Sequence, residues 1–565
     1  MSERGDLRLG SYTAAVEARL ARWQEEAFGR RLWEKDYQLW SPEPIPELTD
    51  RLGWLDLPAA MTAEVQRLSR FSRDVAAEGF RDAVVLGMGG SSLAPEVYSR
   101  TFGPAFGHPA VTVLDSTHPD AVRALAQRLD PERSLFVVSS KSGTTTEMLS
   151  FFHYFWEQLD HLGKVPERGK HFVAVTDPGT PLQALARERG FREVFNAPED
   201  VGGRYSALTP FGLVPAALLG VDTGKLLARG RAMAEACAGS VAAADNPGLR
   251  LGAALGELAL AGRDKVTFVT SHSLETFPEW IEQLIAESTG KTILPDGERA
   301  GGERRGIVPV AGEPLGPPEA YGDDRFFAAL LHQGDDVSAI ERRLEALESA
   351  GHPVGRFKLS DRYDLGAEMF RWELATAAAG AVLEVNPFDQ PDVQLAKTLA
   401  NEAMKQAAAG TLHTGGGAVD ASDAKALKRA VGGWVKGAKK GDYLGIHAYL
   451  PPRPETTTAL RNLQAELHGK TRLAVTLGYG PRFLHSTGQL HKGGADRCRF
   501  LQIIDQPTED LSVPETSYTF GTLIGAQAEG DRQALEQRGR TVLRVQLGTN
   551  DAQGLAALRS AVEEG

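Results

Sequence analysis

Cysteine is nearly absent from this sequence: two thiols, Cys237 and Cys498, stand far apart in 565 residues. That excludes a disulfide framework and suits a reducing compartment, so a cytoplasmic location is expected. No uninterrupted apolar stretch reaches the ~18–20 residues that a bilayer crossing takes, and the opening Met-Ser-Glu-Arg-Gly-Asp lacks a signal peptide's apolar core. No membrane association is therefore expected. Basic charge is also in deficit, because 62 Lys and Arg face 74 Asp and Glu, for a net charge of −12. An overall basic coat for nucleic acid is thereby excluded, although a local basic pocket is not. The histidines lack the cysteine or carboxylate company that a metal site needs, so no metal is expected.

Glycine, at 61 residues, is abundant and points to many tight turns and close backbone approaches. At ~150 residues per domain the length predicts two to four domains. Residues 11–38 and 58–78 carry helical periodicity around the breaker run Ser41-Pro42-Glu43-Pro44-Ile45-Pro46. From residue 82 the grammar changes. Short apolar runs at 82–86, 110–114, 134–138 and 171–175 alternate with helical segments, which predicts a parallel sheet covered on both faces. A second such unit begins near Lys265, with strands at 265–269, 291–294 and 306–310 and helices at 277–287, 365–384 and 391–408. Residues 409–437, poor in large apolar side chains, are expected to form a mobile insertion. Beyond them, strands at 443–450, 471–476, 499–504 and 541–545, with helices at 456–467, 519–528 and 530–538, predict a further α/β unit or a large extension of the second.

Two glycine- and hydroxyl-bearing loops follow strands in the first unit. In Ser140-Lys141-Ser142-Gly143-Thr144-Thr145-Thr146-Glu147 the glycine allows a sharp turn, while hydroxyls and the unpaired N–H groups of the next helix suit a phosphate. Glu147 falls in the first helical turn, a capping position. Gly87-Met88-Gly89-Gly90-Ser91-Ser92 brings backbone and a hydroxyl close to a small ligand, but lacks the Gly-Lys-Ser/Thr ending of a nucleotide P-loop. Loops after neighbouring parallel strands form a cleft at their carboxyl ends. Glu287 shares a helix face with Gln283, and either decorates a helix end or serves as a proton shuttle. Arg204, in Gly202-Gly203-Arg204-Tyr205-Ser206, is a surface cation or a stabiliser of developing oxygen charge. Asn386-Pro387-Phe388-Asp389-Gln390 precedes a helix that Asp389 is placed to cap, with Gln390 and Lys397 about two turns apart. His485 and His491 bracket a polar, glycine-rich run ending at Gly494, with a ligand or interface role open beside a packed one; His332 is a further histidine candidate.

Together, in this order, the segments Gly87–Pro95, Ser140–Glu147, Val201–Ser206, Glu287–Lys291 and Asn386–Lys397 resemble the phosphoglucose isomerase family. The His485–Gly494 run resembles the variant that forms the isomerase half of transaldolase–isomerase fusions. The resemblance implies an α/β fold: two sugar-isomerase (SIS) domains, each a three-layer α/β/α unit with a parallel sheet, plus a C-terminal α/β extension. The boundaries expected on it are 1–79 for an N-terminal helical segment, 80–260 and 261–408 for the two SIS domains, 409–437 for the insertion and 438–565 for the extension. It implies interconversion of glucose 6-phosphate and fructose 6-phosphate through a cis-enediolate, with no cofactor. Mannose 6-phosphate isomerisation and a noncatalytic sugar-phosphate sensor are the alternatives. It further implies that Ser140, Lys141, Ser142 and Thr145 bind phosphate and that Gly90, Ser91 and Gln390 hold substrate. Glu287 would move the proton, Arg204 would steady the intermediate and Lys397 would assist ring opening. The family's ring-opening histidine lies seven residues before the position of His332, where this sequence has Arg325. His485 and His491 are the expected substitutes. In the family that histidine comes from the other subunit, so a homodimer is expected.

Overall fold

A computed structural model describes residues 5–161, 167–292, 304–408 and 416–564. Three five-stranded sheets organise them. In the first, Ala110–Leu114, Asp82–Leu86, Ser134–Ser139, Phe172–Thr176 and Glu193–Asn196 lie side by side in that order, all parallel. Strands buried on both faces need continuous apolar runs, and Ser134–Ser139 is buried at every position. The chain reverses its direction of winding between Asp82–Leu86 and Ser134–Ser139, so the loops at 87–92 and 140–145 diverge there and open a crevice.

The second sheet runs Asp6–Arg8, Val354–Leu359, Arg325–His332, Lys265–Thr270, Val308–Val310. Its first strand is antiparallel, which ties the N-terminal segment expected to be helical into this sheet. Strand Lys291–Thr292 stands apart, in a two-residue hairpin with Arg304–Arg305; residues 293 and 294 of the expected strand lie outside the described residues. The core does not break at residue 260. Helices Thr223–Ala236 and Pro247–Leu260 pack on Leu365–Val382, and one apolar cluster runs from Val85 of the first sheet to Phe268 of the second.

The third sheet has its own core and the order Val419–Asp420, Thr541–Gln546, Cys498–Ile504, Tyr443–Tyr449, Ala474–Tyr479, all parallel. The expected mobile insertion is corrected over its described part. Residues 409–415 lie outside the described residues, but Val419–Asp420 joins the sheet and Ala424–Lys436 is a helix. Its buried Leu427, Val431 and Trp434 recur at helical spacing, so three large side chains on one face suffice to dock it. The two helices expected at 519–528 and 530–538 are one, Phe520–Gln537. Gly530 does not break it; it lies against the backbone of Ala400, where any Cβ would collide, and so lets helix Val393–Ala408 approach closely. The architecture is the expected one, two three-layer α/β/α units and a C-terminal α/β unit. No helix among the described residues is long and apolar enough to cross a membrane.

Candidate active site

The crevice at the carboxyl edge of the first sheet is a cavity of about 800 Å³, within the size range of small-molecule sites. Ser140, Lys141, Ser142 and Thr145 line one side, ahead of helix Thr146–His161. The loop is held by its own hydroxyls: Ser140 Oγ bonds Thr145 Oγ1 at 2.9 Å and accepts from the Gly143 N–H, while Ser142 and Thr144 bond each other at 3.0 Å. Gly143 has φ +69°, the left-handed turn that glycine adopts without strain. The N–H groups at the helix start add a fixed positive field for an anion. Lys141 is differently engaged, since its Nζ pairs with Asp177 at 2.5 Å.

Gly90 and Ser91 form the adjoining wall. Gly90 lies under the carbonyl of Gly203, so closely that a Cβ would overlap it. This contact joins the glycine turn to the segment carrying Arg204.

Arg204 and Glu287, 83 residues apart, meet in the cavity at 3.1 Å, and both are almost wholly buried. The guanidinium is fully committed. Its Nε donates to Ser288 Oγ at 2.9 Å, Nη1 also to Gln390 Oε1 at 3.1 Å, and Nη2 to the carbonyls of Pro387 and Asp389. Such a cation is oriented before any substrate arrives. Burial raises the Glu287 carboxyl above its ordinary range, and Arg204 and Gln283 offset this only in part. The helix-end decoration reading therefore gives way to a buried carboxylate facing the phosphate loop.

Lys291 and Asp389 fix the opposite wall. Lys291 Nζ donates to the carbonyls of Asn386 and Asp389 and to Asp389 Oδ1 at 2.8 Å. Burial lowers the ammonium to about 8 although Asp389 works to raise it. Asp389 thus serves Lys291 rather than capping the next helix, which starts only at Val393. Gln390 and Lys397 line the cavity from this side.

His485 reaches the same cavity from the third unit of the same chain. Its Nε2 lies 2.9 Å from Glu147 Oε1, which also accepts from Gln527 Nε2 at 2.7 Å; Gln527 in turn accepts from Thr117. Burial acts to raise the Glu147 carboxyl, but His485, with help from Lys397, outweighs it and holds the group below the ordinary range. An ionised Glu147 takes the Nε2 proton as its bond and leaves Nδ1 for a ligand. Glu147 is thus a buried partner of a histidine as well as an acceptor for its own backbone N–H in the first helical turn, so a capping contact stands beside the histidine one.

His491 does not join them. It is buried behind the cleft, its ring 4.6 Å from that of His447 and 5.1 Å from that of Phe500, and burial pushes its pKa well below the ordinary value. His332 ends a strand of the second sheet outside this cavity, 3.7 Å from Asp335. Arg325 is wholly buried in that strand, paired with Glu313 and bonded to Thr267. Of the two expected ring-opening histidines, only His485 faces the cleft.

The family model described as phosphoglucose isomerase matches residues 64–346, which include the glycine turn, the phosphate loop, Arg204 and Glu287. The chain belongs to the phosphoglucose isomerase family. With that family comes sugar-phosphate isomerisation as the class of reaction. Among curated relatives, a glucose-6-phosphate isomerase of Thermus thermophilus is 32% identical over 398 residues, spanning 62% of this chain and 90% of the relative. That of Carboxydothermus hydrogenoformans is 36% identical, spanning 61% and 83%. A solved structure of a hypothetical protein from Thermus thermophilus superposes with a TM-score of 0.59 at 29% identity, covering 70% of this chain and 99% of that one. A glucose-6-phosphate isomerase from Chlamydia trachomatis shares the fold, with a TM-score of 0.54 at 20% identity and coverage of 68% and 78%.

Glu147, Gln283, Lys291 and Gln527 escaped the sequence reading as site residues. Glu147 and Lys291 lie inside segments quoted for the resemblance, and Gln283 is one turn from Glu287, so proximity to a motif was the available signal. For Gln527, in a helix of the third unit, the sequence offers none.

Proposed function

We propose that this protein interconverts glucose 6-phosphate and fructose 6-phosphate through a cis-enediolate. The observation that carries the reading is the buried Glu287–Arg204 pair facing a hydroxyl-built phosphate loop across one cavity. With phosphate on Ser140, Ser142 and Thr145, the sugar extends along Gly90, Ser91 and Gln390. Ring opening breaks the C1–O5 bond, O5 gaining a proton and the anomeric hydroxyl losing one; His485 and Lys397 line the cavity as the groups that relay them. Glu287 takes the C2 proton. The freed electron pair makes the C1–C2 double bond, charge moves to O1, and Arg204 stabilises it without reorganising. Return of the proton from Glu287 to C1, with the proton of the C2 hydroxyl passing to O1, leaves the ketone. Lys141, tied to Asp177, supports the loop and adds positive potential beside the phosphate.

Glu287→Gln keeps the shape and removes the base. General-base catalysis is worth roughly 10²–10⁴-fold, so kcat is expected to fall by about that factor while KM stays within a few fold. Turnover near that of the wild type would end the assignment. Parallel assays on mannose 6-phosphate decide between the two hexose phosphates, and the presence of the base counts against a noncatalytic sensor. We also read the third unit as that of the variant found in transaldolase–isomerase fusions, and the protein as a cytoplasmic homodimer.

A further inference from the structure

We propose that Arg482 is a positioning residue that locks the three α/β units around the turn carrying His485. This rests on the assignment of His485 to ring opening.

Arg482 opens the short turn Arg482–His485. Its guanidinium collects carboxylates from two other parts of the molecule. Glu96 comes from helix Leu93–Phe102, next to the glycine turn, and is bonded by Nη2. Asp115 directly follows strand Ala110–Leu114 and lies 3.5 Å from Nη1. Glu279, 2.8 Å from Nη2, sits in the first turn of helix Phe277–Thr289, whose last turn carries Glu287. One side chain therefore links the first unit, the helix of the catalytic base and the third unit, three residues from the imidazole.

Arg482 does not line the catalytic cavity. It faces a separate chamber of about 590 Å³ behind the turn, shared with Glu282, Arg461 and His491. Its effect on the reaction thus passes through His485. Other contacts define what it locks. Gln283, one turn beyond Glu279, donates to the His485 carbonyl at 2.9 Å, and Gly89 lies directly against that carbonyl, where a Cβ would overlap it. At the far end of the segment, Lys492 pairs with Asp531 at 2.7 Å, both wholly buried. The backbone of the turn is thus held on both sides of His485, and Arg482, together with Gln283, ties it to the helix of Glu287. Three carboxylates converging without their cation would repel and spread that junction.

The test compares a cyclic hexose phosphate with an acyclic analogue lacking the ring-closing hydroxyl, in Arg482→Gln, Arg482→Lys, Glu279→Gln and His485→Asn. Misplacing a catalytic group by about 1 Å costs up to ~10²-fold. Arg482→Gln is expected to lower kcat on the cyclic substrate about tenfold or more, with KM within about threefold and the acyclic analogue within about twofold of wild type. Arg482→Lys, keeping the charge, recovers part of the loss. Equal slowing of both substrates, or none of either, overturns the proposal. Should Arg482→Gln fail to fold, Glu279→Gln removes one arm of the junction at constant volume, and its ratio of cyclic to acyclic turnover answers the same question. His485→Asn separates the two levels. If it shows no selective loss on the cyclic substrate, the ring-opening assignment falls and this proposal with it; if it does and Arg482→Gln does not, only the positioning role falls.

Discussion

Glu287, proposed as the base, is subject to opposed effects on its carboxyl. Burial favours its neutral form, and the Arg204 cation favours the ionised one. A base must be ionised to accept a proton, so activity falls as pH drops through the raised pKa of this carboxyl. Arg204→Gln removes the cation and leaves burial opposed only by the weaker effects of Gln283 and His485, and the acid limb of kcat/KM is expected to move to higher pH. Losing the oriented donor also costs roughly 10²–10³-fold in kcat. Arg204→Lys keeps the charge but cannot reproduce five directed bonds, and is expected to hold the limb near its wild-type position while kcat stays low. A pH profile for Arg204→Gln that overlays the wild type would contradict this account.

At the scale of elements, the cleft depends on two loops approaching with no side chain between them. Gly90 meets the carbonyl of Gly203, so Gly90→Ala must push apart the glycine turn and the Arg204 segment. Overpacking of this kind costs typically ~1–3 kcal/mol. Gly90→Ala is expected to lower Tm accordingly and to raise KM more than it lowers kcat, because the wall along the substrate moves; an unchanged Tm and KM would show that the loops have slack. These loops were legible in the sequence because glycines, hydroxyls and a preceding apolar strand fall within ten residues of one another. The strands Arg325–His332 and Val354–Leu359 were not. The first reads as a histidine-bearing motif with a charged start, and its Arg325 is tolerated in a sheet core because Glu313 and Asp324 neutralise it and Thr267 accepts a hydrogen bond there. In the same way Gly530 reads as a helix break until the neighbouring helix it accommodates is known.

For the whole molecule, the third unit is part of the site. It supplies His485 and, through Gln527, orients the Glu147 that His485 bonds. On that assignment the histidine can come from the same chain, where the resemblance implies one from a partner. A mixing experiment follows. Glu287→Gln and His485→Asn, each purified as an inactive protein and then exchanged together, are expected to regain no activity. If the histidine acted in a neighbouring subunit, some mixed sites would carry both intact residues, and recovery toward a quarter of wild-type turnover would appear.

The sequence by itself determined the hydroxyl-rich loop at 140–145, the glycine turn and the paired α/β units, because each depends on short-range facts: strand periodicity, a turn residue, a helix start. Only the tertiary structure decided which histidine lines the cleft, what Glu147 bonds and where Arg204 points. Those choices join residues 338 and 83 positions apart, and they follow from how three separately wound sheets bury their faces against one another, a property that no local stretch of chain encodes.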